Sequence, residues 1–128
     1  MGQTFSDGRF TFDVKKLWEL SEDTETETML VSDLEHQLKY DCWSISPMEV
    51  CNLYTRIPEG HMQKCFDADM SYPILLTPLG HVCDGMHRLM KARMNSEKTL
   101  INNTPQRYIK IKKFEEWSEM IPAIIKEK

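Results

Sequence analysis

The spacing of apolar residues changes period at one point in the chain, and the most informative structure is predicted there. Residues 73–77, reading PILLT, form a continuous apolar run of strand length, and Pro78-Leu79-Gly80 has the chemistry of a turn. His81 to Asp84 continues extended. Gly85 then permits a pivot, and from Met86 onward Met86, Leu89, Met90 and Arg93 fall on one helical stripe. Tyr72 to Met94 therefore predicts strand, turn, strand, glycine corner and helix.

The rest of the pattern predicts scaffold around that corner. Arg9 to Val14 alternates as a strand, and Asp13 is placed to cap a short helix whose apolar stripe is Val14, Leu17 and Trp18. Ser21 to Thr28 is an acidic polar run that reads as a solvated loop. Thr28 to Val31 predicts a short strand, and Ser32-Asp33-Leu34-Glu35 has the spacing of a capping box. Ser46-Pro47-Met48-Glu49 opens a helix with Val50, Cys51 and Tyr54 inward, after an apolar patch from Cys42 to Ile45. A further helix starts near Glu59-Gly60, with Met62, Cys65 and Phe66 at helical spacing. Asn95 is suited to a left-handed helix cap, and Gln106 to Ile111 alternates as a strand. Phe114, Trp117, Ile121, Ile124 and Ile125 mark a closing amphipathic helix that Pro122 ends or kinks. Together these elements predict an α/β (α+β) fold, a small mixed sheet flanked by helices, in a single domain over residues 1–128.

Composition narrows the classes. A chain of 128 residues is long enough to bury a core. Its net charge of −4 weighs against a dominant nucleic-acid footprint, and Lys110, Lys112 and Lys113 read as a solvated edge or as the rim of a nucleotide or nucleic-acid groove. The four cysteines, at positions 42, 51, 65 and 83, show neither a C-x-x-C pair nor zinc spacing, so reduced, mostly buried thiols of a cytoplasmic protein are expected. No long apolar segment or signal peptide stands in the sequence, and no membrane association is expected.

The chemistry concentrates at the corner. A helix that starts directly after a glycine at a strand end turns its unpaired N–H groups and the positive end of its dipole outward, where anions bind. His87 adds a titratable donor and Arg88 a planar bidentate one suited to phosphate, unless Arg88 pairs with Asp84 one turn earlier. Asp84 can cap the helix, orient His87 or help hold a metal. Asp69 and Asp67 are candidate Mg2+ ligands beside a phosphate, or solvated acids at a helix end. His61 is a candidate ligand contact or a surface histidine. His81, Cys83 and His87 are close in sequence, but a zinc site needs further converging ligands, and none stands elsewhere at recognisable spacing.

The run Asp84-Gly85-Met86-His87-Arg88, entered through Ala68-Asp69-Met70-Ser71-Tyr72-Pro73-Ile74 and followed by Lys91-Ala92, resembles the ParB/sulfiredoxin superfamily, in particular its small stand-alone ParB-like nuclease domain proteins. The resemblance is close over Asp67 to Met94 and looser from about Phe10 to about Ile111. It implies a ParB/sulfiredoxin-like fold and a nucleotide phosphate held at the corner by Gly85, His87 and Arg88, with Asp84 as the supporting acid. It also implies an acid from the N-terminal half, Glu35 or Asp33, approaching the same corner, where the plainer role of Glu35 is to close its capping box. On this reading the catalytic set is His87, Asp84 and Glu35, and the ligand contacts are Gly85, His87, Arg88 and His61. The metal ligands are Asp84 and Asp69, and the cofactors are ATP, ADP or CTP with Mg2+. Sulfinate reduction does not fit, because Met86 stands where sulfiredoxins carry the reactive cysteine. Centromere binding does not fit either, since the basic motifs and helix-turn-helix of partition proteins have no counterpart. The expected function is nucleotide-phosphate binding with metal-assisted phosphoryl transfer or hydrolysis. The alternatives are a metal-dependent DNA nuclease and a non-catalytic interaction protein of a phage or mobile element.

Overall fold

Ile74, Leu75 and Leu76 are all fully buried, which explains why their run shows no polar alternation: the strand they form is covered on both faces. The structure, a computed structural model, describes residues 2–39, 64–65, 67–96 and 105–127. The described chain is a mixed α+β fold with two small sheets. Strands β1 (Thr4–Ser6) and β2 (Phe10–Asp13) lead into helix α1 (Val14–Leu20) and strand β3 (Glu27–Leu30). Strands β4 (Ile74–Leu76) and β5 (Val82–Asp84) precede helix α2 (Met86–Asn95), and β6 (Tyr108–Lys113) and β7 (Ile124–Glu127) follow.

One sheet has the order β3-β6-β4-β5, with β4 and β6 parallel and the other neighbours antiparallel. The other is antiparallel with order β1-β2-β7. Alternation along β4 decides which layer each side chain joins. Ile74 and Leu76 face α2 in a core with Val82, Leu89, Met90, Ala92, Ile109 and Ile111. Leu75 faces the other way, packing with Phe12, Leu17, Cys83, Phe114 and Met120, so the smaller sheet and α1 cover the opposite side. The larger sheet is thus sandwiched, and the corner after β5 sits where the two layers meet.

Several expectations are displaced by tertiary context. Strand β1 has no counterpart in the sequence pattern. The closing helix does not form: Trp117–Ala123 is a 3₁₀ run opened by a reciprocal Glu116/Glu119 capping box, and Ile124 and Ile125 belong to β7. Pro122 supplies the reason, since it has no N–H for a helical ladder and the β-branched pair that follows pairs with β2 instead. Asn95 lies in the last turn of α2, whose C-cap is the right-handed Ser96; the Ser96 hydroxyl donates to the Arg93 carbonyl at 2.6 Å. No capping box forms at Ser32. Val31–Asp33 and Glu35–Lys39 are short 3₁₀ turns, and Leu30 is an N-cap with no side-chain bond. Asp13 does cap α1, accepting the Lys15 N–H at 3.1 Å. The expected helix from Ser46, the patch from Cys42 to Ile45, Met62, Phe66 and His61 lie outside the described residues. Among the described residues no helix is long and apolar enough to cross a membrane.

Candidate functional site

The corner is built by a hairpin and one glycine. Thr77 and His81 close the β4–β5 turn, with the Thr77 N–H donating to the His81 carbonyl at 2.8 Å and the Gly80 N–H to the Thr77 carbonyl at 2.8 Å. Gly85 then turns the chain with φ 110°, and an added Cβ would lie 3.0–3.3 Å from Ile74 Cγ1, Cα and Cβ. Glycine is required there twice over, by backbone conformation and by the approach of β4. The Gly85 carbonyl accepts the first helical bond, from Leu89 at 2.9 Å, so the N–H groups of Met86, His87 and Arg88 precede the helical ladder and point out of its start.

That start opens on a cleft of about 630 Å³, walled on one side by the N-terminal segment Gln3 to Asp7 and on the other by Gln37 and the stretch His81 to His87. Asp84 is half-buried on this wall. Its Oδ1 accepts Gln3 Nε2 at 2.9 Å and its Oδ2 accepts Trp18 Nε1 at 2.7 Å. Asp84 therefore neither caps α2, whose N-cap is Gly85 without a side-chain bond, nor pairs with Arg88. Instead it ties α1 and the N-terminal strand to the corner.

Arg88 turns the other way. Its Nη1 donates to the Pro73 carbonyl at 3.2 Å, its guanidinium lies 5.6 Å from the Tyr72 ring centroid, and Lys91 Nζ donates to the Ala68 carbonyl at 3.0 Å. This face of α2 straps down the entry to β4. Asp69 belongs to the same strap: its Oδ1 accepts the Ser71 hydroxyl at 2.7 Å and the Ser71 N–H at 2.9 Å. The Ser71 hydroxyl, then its N–H, hold the Asp69 carboxyl below its usual pKa, with Arg88 and Lys91 adding to the effect against a desolvation that raises it. A depressed carboxyl contributes stability above its unfolded pKa and loses it as pH falls through the folded value. Ser71→Ala is therefore expected to move the Asp69 titration, followed by NMR, upward toward that of an unperturbed aspartate; an unchanged midpoint would contradict the assignment.

Glu35 sits elsewhere. It pairs with Arg93 Nε at 3.2 Å and lines a separate hollow of about 320 Å³ with Ser96 and Arg107. Of the residues singled out from sequence, the structure brings Asp84, Gly85 and His87 to one cleft, with His81 on its wall, and leaves Arg88, Asp69 and Glu35 outside that lining. His61 lies outside the described residues. Among the described residues no group of three or more His, Cys, Asp and Glu side chains converges as a metal cage. Cys83 is a core thiol, and burial, with the neighbouring Asp84 charge, pushes its pKa far up. Iodoacetamide at neutral pH is expected to leave Cys83 unmodified until the chain is unfolded, read by peptide mass mapping.

Of the β6 lysines, Lys110 is exposed. Lys112 Nζ donates to the Ser21 carbonyl at 3.1 Å, and Lys113 lines a hollow of about 600 Å³ whose other charged members are Asp23, Glu25, Glu27, Glu115 and Glu119. The acidic run is part of that wall.

Three cleft-building residues were not legible as such. Gln3 and Trp18 reach Asp84 across 81 and 66 positions, and no local pattern connects them. Gln37 carried a signal: it is a polar residue between Leu34 and Leu38 at a phase that faces inward. It is 3% exposed, donating Nε2 to the Gly80 carbonyl at 2.7 Å and accepting the Val82 N–H on Oε1 at 2.8 Å.

Fold and site define the class as a small α+β chain with a ligand-sized cleft at a strand–glycine–helix corner. No protein-family model, no curated protein and no solved structure matches the chain.

Proposed function

We propose that the cleft at the β5–α2 corner binds the phosphate of a nucleotide, ATP, ADP or CTP, together with Mg2+. The observation that carries this reading is the opening of the α2 start onto the cleft wall that holds His87 and Asp84. N–H groups at a helix start and the dipole behind them favour an anion, and Gly85 adds no side chain between backbone and ligand. The likeness of Asp84-Gly85-Met86-His87-Arg88 to the ParB/sulfiredoxin corner supports the same reading from sequence.

The charge on the wall dictates the metal. Among the described residues the lining carries Asp7 and Asp84 but neither lysine nor arginine, so a bare phosphate would be repelled. Mg2+ keeps most of its waters and needs only one or two carboxylates beside the phosphates, so a three-residue cage is not required. Asp84 retains acceptor capacity beyond its bonds to Gln3 and Trp18. His87 donates a hydrogen bond or proton to the phosphoryl group, and the helix start stabilises charge developed in its transfer or hydrolysis. Arg88 acts one step removed, by holding the Tyr72–Pro73 entry against α2. The same acidic wall weighs for a nucleotide over DNA, whose backbone needs a basic track.

The test is a thermal-shift series with ATP, ADP, CTP, GTP and a short DNA, each with Mg2+ or with EDTA, on the wild-type chain and His87→Ala. One Mg2+–nucleotide pair is expected to raise the wild-type Tm, by an amount equivalent to about 2.7 kcal/mol at a hundredfold excess over Kd, with the shift lost in EDTA and weakened in His87→Ala. The reading fails if no nucleotide shifts Tm, or if the shift is the same without the metal.

A further inference from the structure

We propose that the cleft is also a strand-accepting slot, in which an extended basic peptide segment of a partner protein pairs with the free edge of β1. The inference goes beyond phosphate binding and does not depend on it. It rests on where the backbone groups of β1 point.

Among the described residues β1 pairs with β2 alone and is the outer strand of its sheet. Its inward groups are fixed by observed bonds: the Gln3 carbonyl accepts the Val14 N–H at 3.1 Å, and the Asp7 N–H donates to the Phe10 carbonyl at 3.2 Å. Backbone groups alternate in direction along a strand, and the β1–β2 register is unbroken from Thr4 to Ser6. The N–H and C=O groups of Thr4 and Ser6 therefore point away from β2, and both residues line the cleft. Among the described residues no backbone strand or side chain pairs with these groups.

The opposite wall is a strand edge too. β5 is the last strand of the larger sheet, and its Val82 N–H points outward, since His81 spends its carbonyl on Thr77 in the hairpin. The side-chain amide of Gln37 already pairs with this edge as a neighbouring strand would, taking the Val82 N–H and giving to the Gly80 carbonyl. Gln3, next to Thr4, reaches across to Asp84 on the opposite wall, its Nε2 donating to Oδ1 at 2.9 Å. The lining supplies the charge preference: among the described residues Asp7 and Asp84 face the slot and no lysine or arginine does, so the segment that enters carries lysine or arginine. Exposed strand edges are the recurrent template for peptide addition.

The experiment is selection of a displayed library of random nine-residue peptides on the full chain, in EDTA and without nucleotide, followed by resynthesis of the most enriched sequence. Its binding is measured by fluorescence polarisation on the wild type and on Ser6→Pro and Thr4→Pro. Each proline removes one outward N–H from β1 and leaves the β1–β2 ladder intact. The expected results are enrichment of basic peptides, slowed amide exchange at Thr4–Ser6, and about tenfold weaker binding to each proline variant. On the wild type alone, N-methylating alternate peptide amides in one register is expected to abolish binding, while the other register is tolerated; this arm holds even if a proline variant fails to fold. The proposal is overturned if no peptide is enriched, if both N-methyl registers bind equally, or if exchange slows at β3 or β7 instead. Sedimentation showing that a second copy of the chain fills the β1 edge would also overturn it. Because EDTA and the absence of nucleotide remove the phosphate site, failure of one proposal leaves the other standing.

Discussion

Gly85→Ala is expected to destabilise the chain by about 2–5 kcal/mol and to lower Tm by roughly 10 °C. Two separate costs add. The residue holds φ 110°, which costs a side chain roughly 1–2 kcal/mol. The new Cβ would meet Ile74 at 3.0 Å from Cγ1 and 3.2 Å from Cα, and the second of these atoms is backbone of the central strand and cannot swing away. Overpacking of that kind costs about 1–3 kcal/mol. Gly80→Ala separates the terms, because Gly80 has φ 86° with nothing within 4 Å of an added Cβ. Thermal melts of both variants are the measurement. If Gly85→Ala costs no more than Gly80→Ala, the contact with β4 does not constrain the corner.

The second large effect is expected at Gln37. Gln37→Ala strips a half-buried carbonyl, that of Gly80, and a buried N–H, that of Val82, of their partner at once. An unsatisfied buried polar group costs about 1–3 kcal/mol and the lost bond at the half-buried carbonyl about 0.5–1.5 kcal/mol more, so a loss of roughly 2–4 kcal/mol is expected in urea unfolding, with an unchanged slope. Gln37→Glu tests the mechanism with almost no change of shape. A carboxylate still accepts from Val82, yet it turns an oxygen toward the Gly80 oxygen, and only the protonated acid can donate there. Its folded pKa is therefore raised above the unfolded value. By linkage, the destabilisation of Gln37→Glu is relieved as pH falls below that raised pKa. A pH-independent penalty relative to wild type would rule this out.

What the sequence disclosed is local. The hairpin, Gly85 and α2 are legible within one stretch because period, turn chemistry and the glycine pivot all act over a few positions. Asp13 at its cap is of the same kind. What was hidden depends on distant partners. Arg88 and Asp84 sit at helical spacing for an ion pair, yet Trp18 and Gln3 claim the acid and Pro73 claims the guanidinium. Glu35 has capping-box spacing, yet Arg93 from α2 takes it. The period of Phe114 to Ile125 suits a helix, but Pro122 and the waiting edge of β2 convert its end to strand. Strand β1, three residues long, carries too little pattern to announce itself, although it forms a whole wall of the cleft.

The pairing of β2 with β7 has a consequence for the order of assembly. It joins Phe12 to Ile124, more than a hundred positions apart, whereas β4, β5 and the first turns of α2 meet within about twenty. Closing a long loop costs more chain entropy than closing a short one, so near neighbours in sequence assemble first. The β5–α2 corner can thus be complete while the sheet that carries β1 is still open, and the same sheet is the first to come loose on the way out. Native-state amide exchange would then show Phe12 freed at lower denaturant than Leu76. The chain would breathe by lifting one wall of its own cleft, so entry of a ligand and the earliest unfolding step would share a single movement.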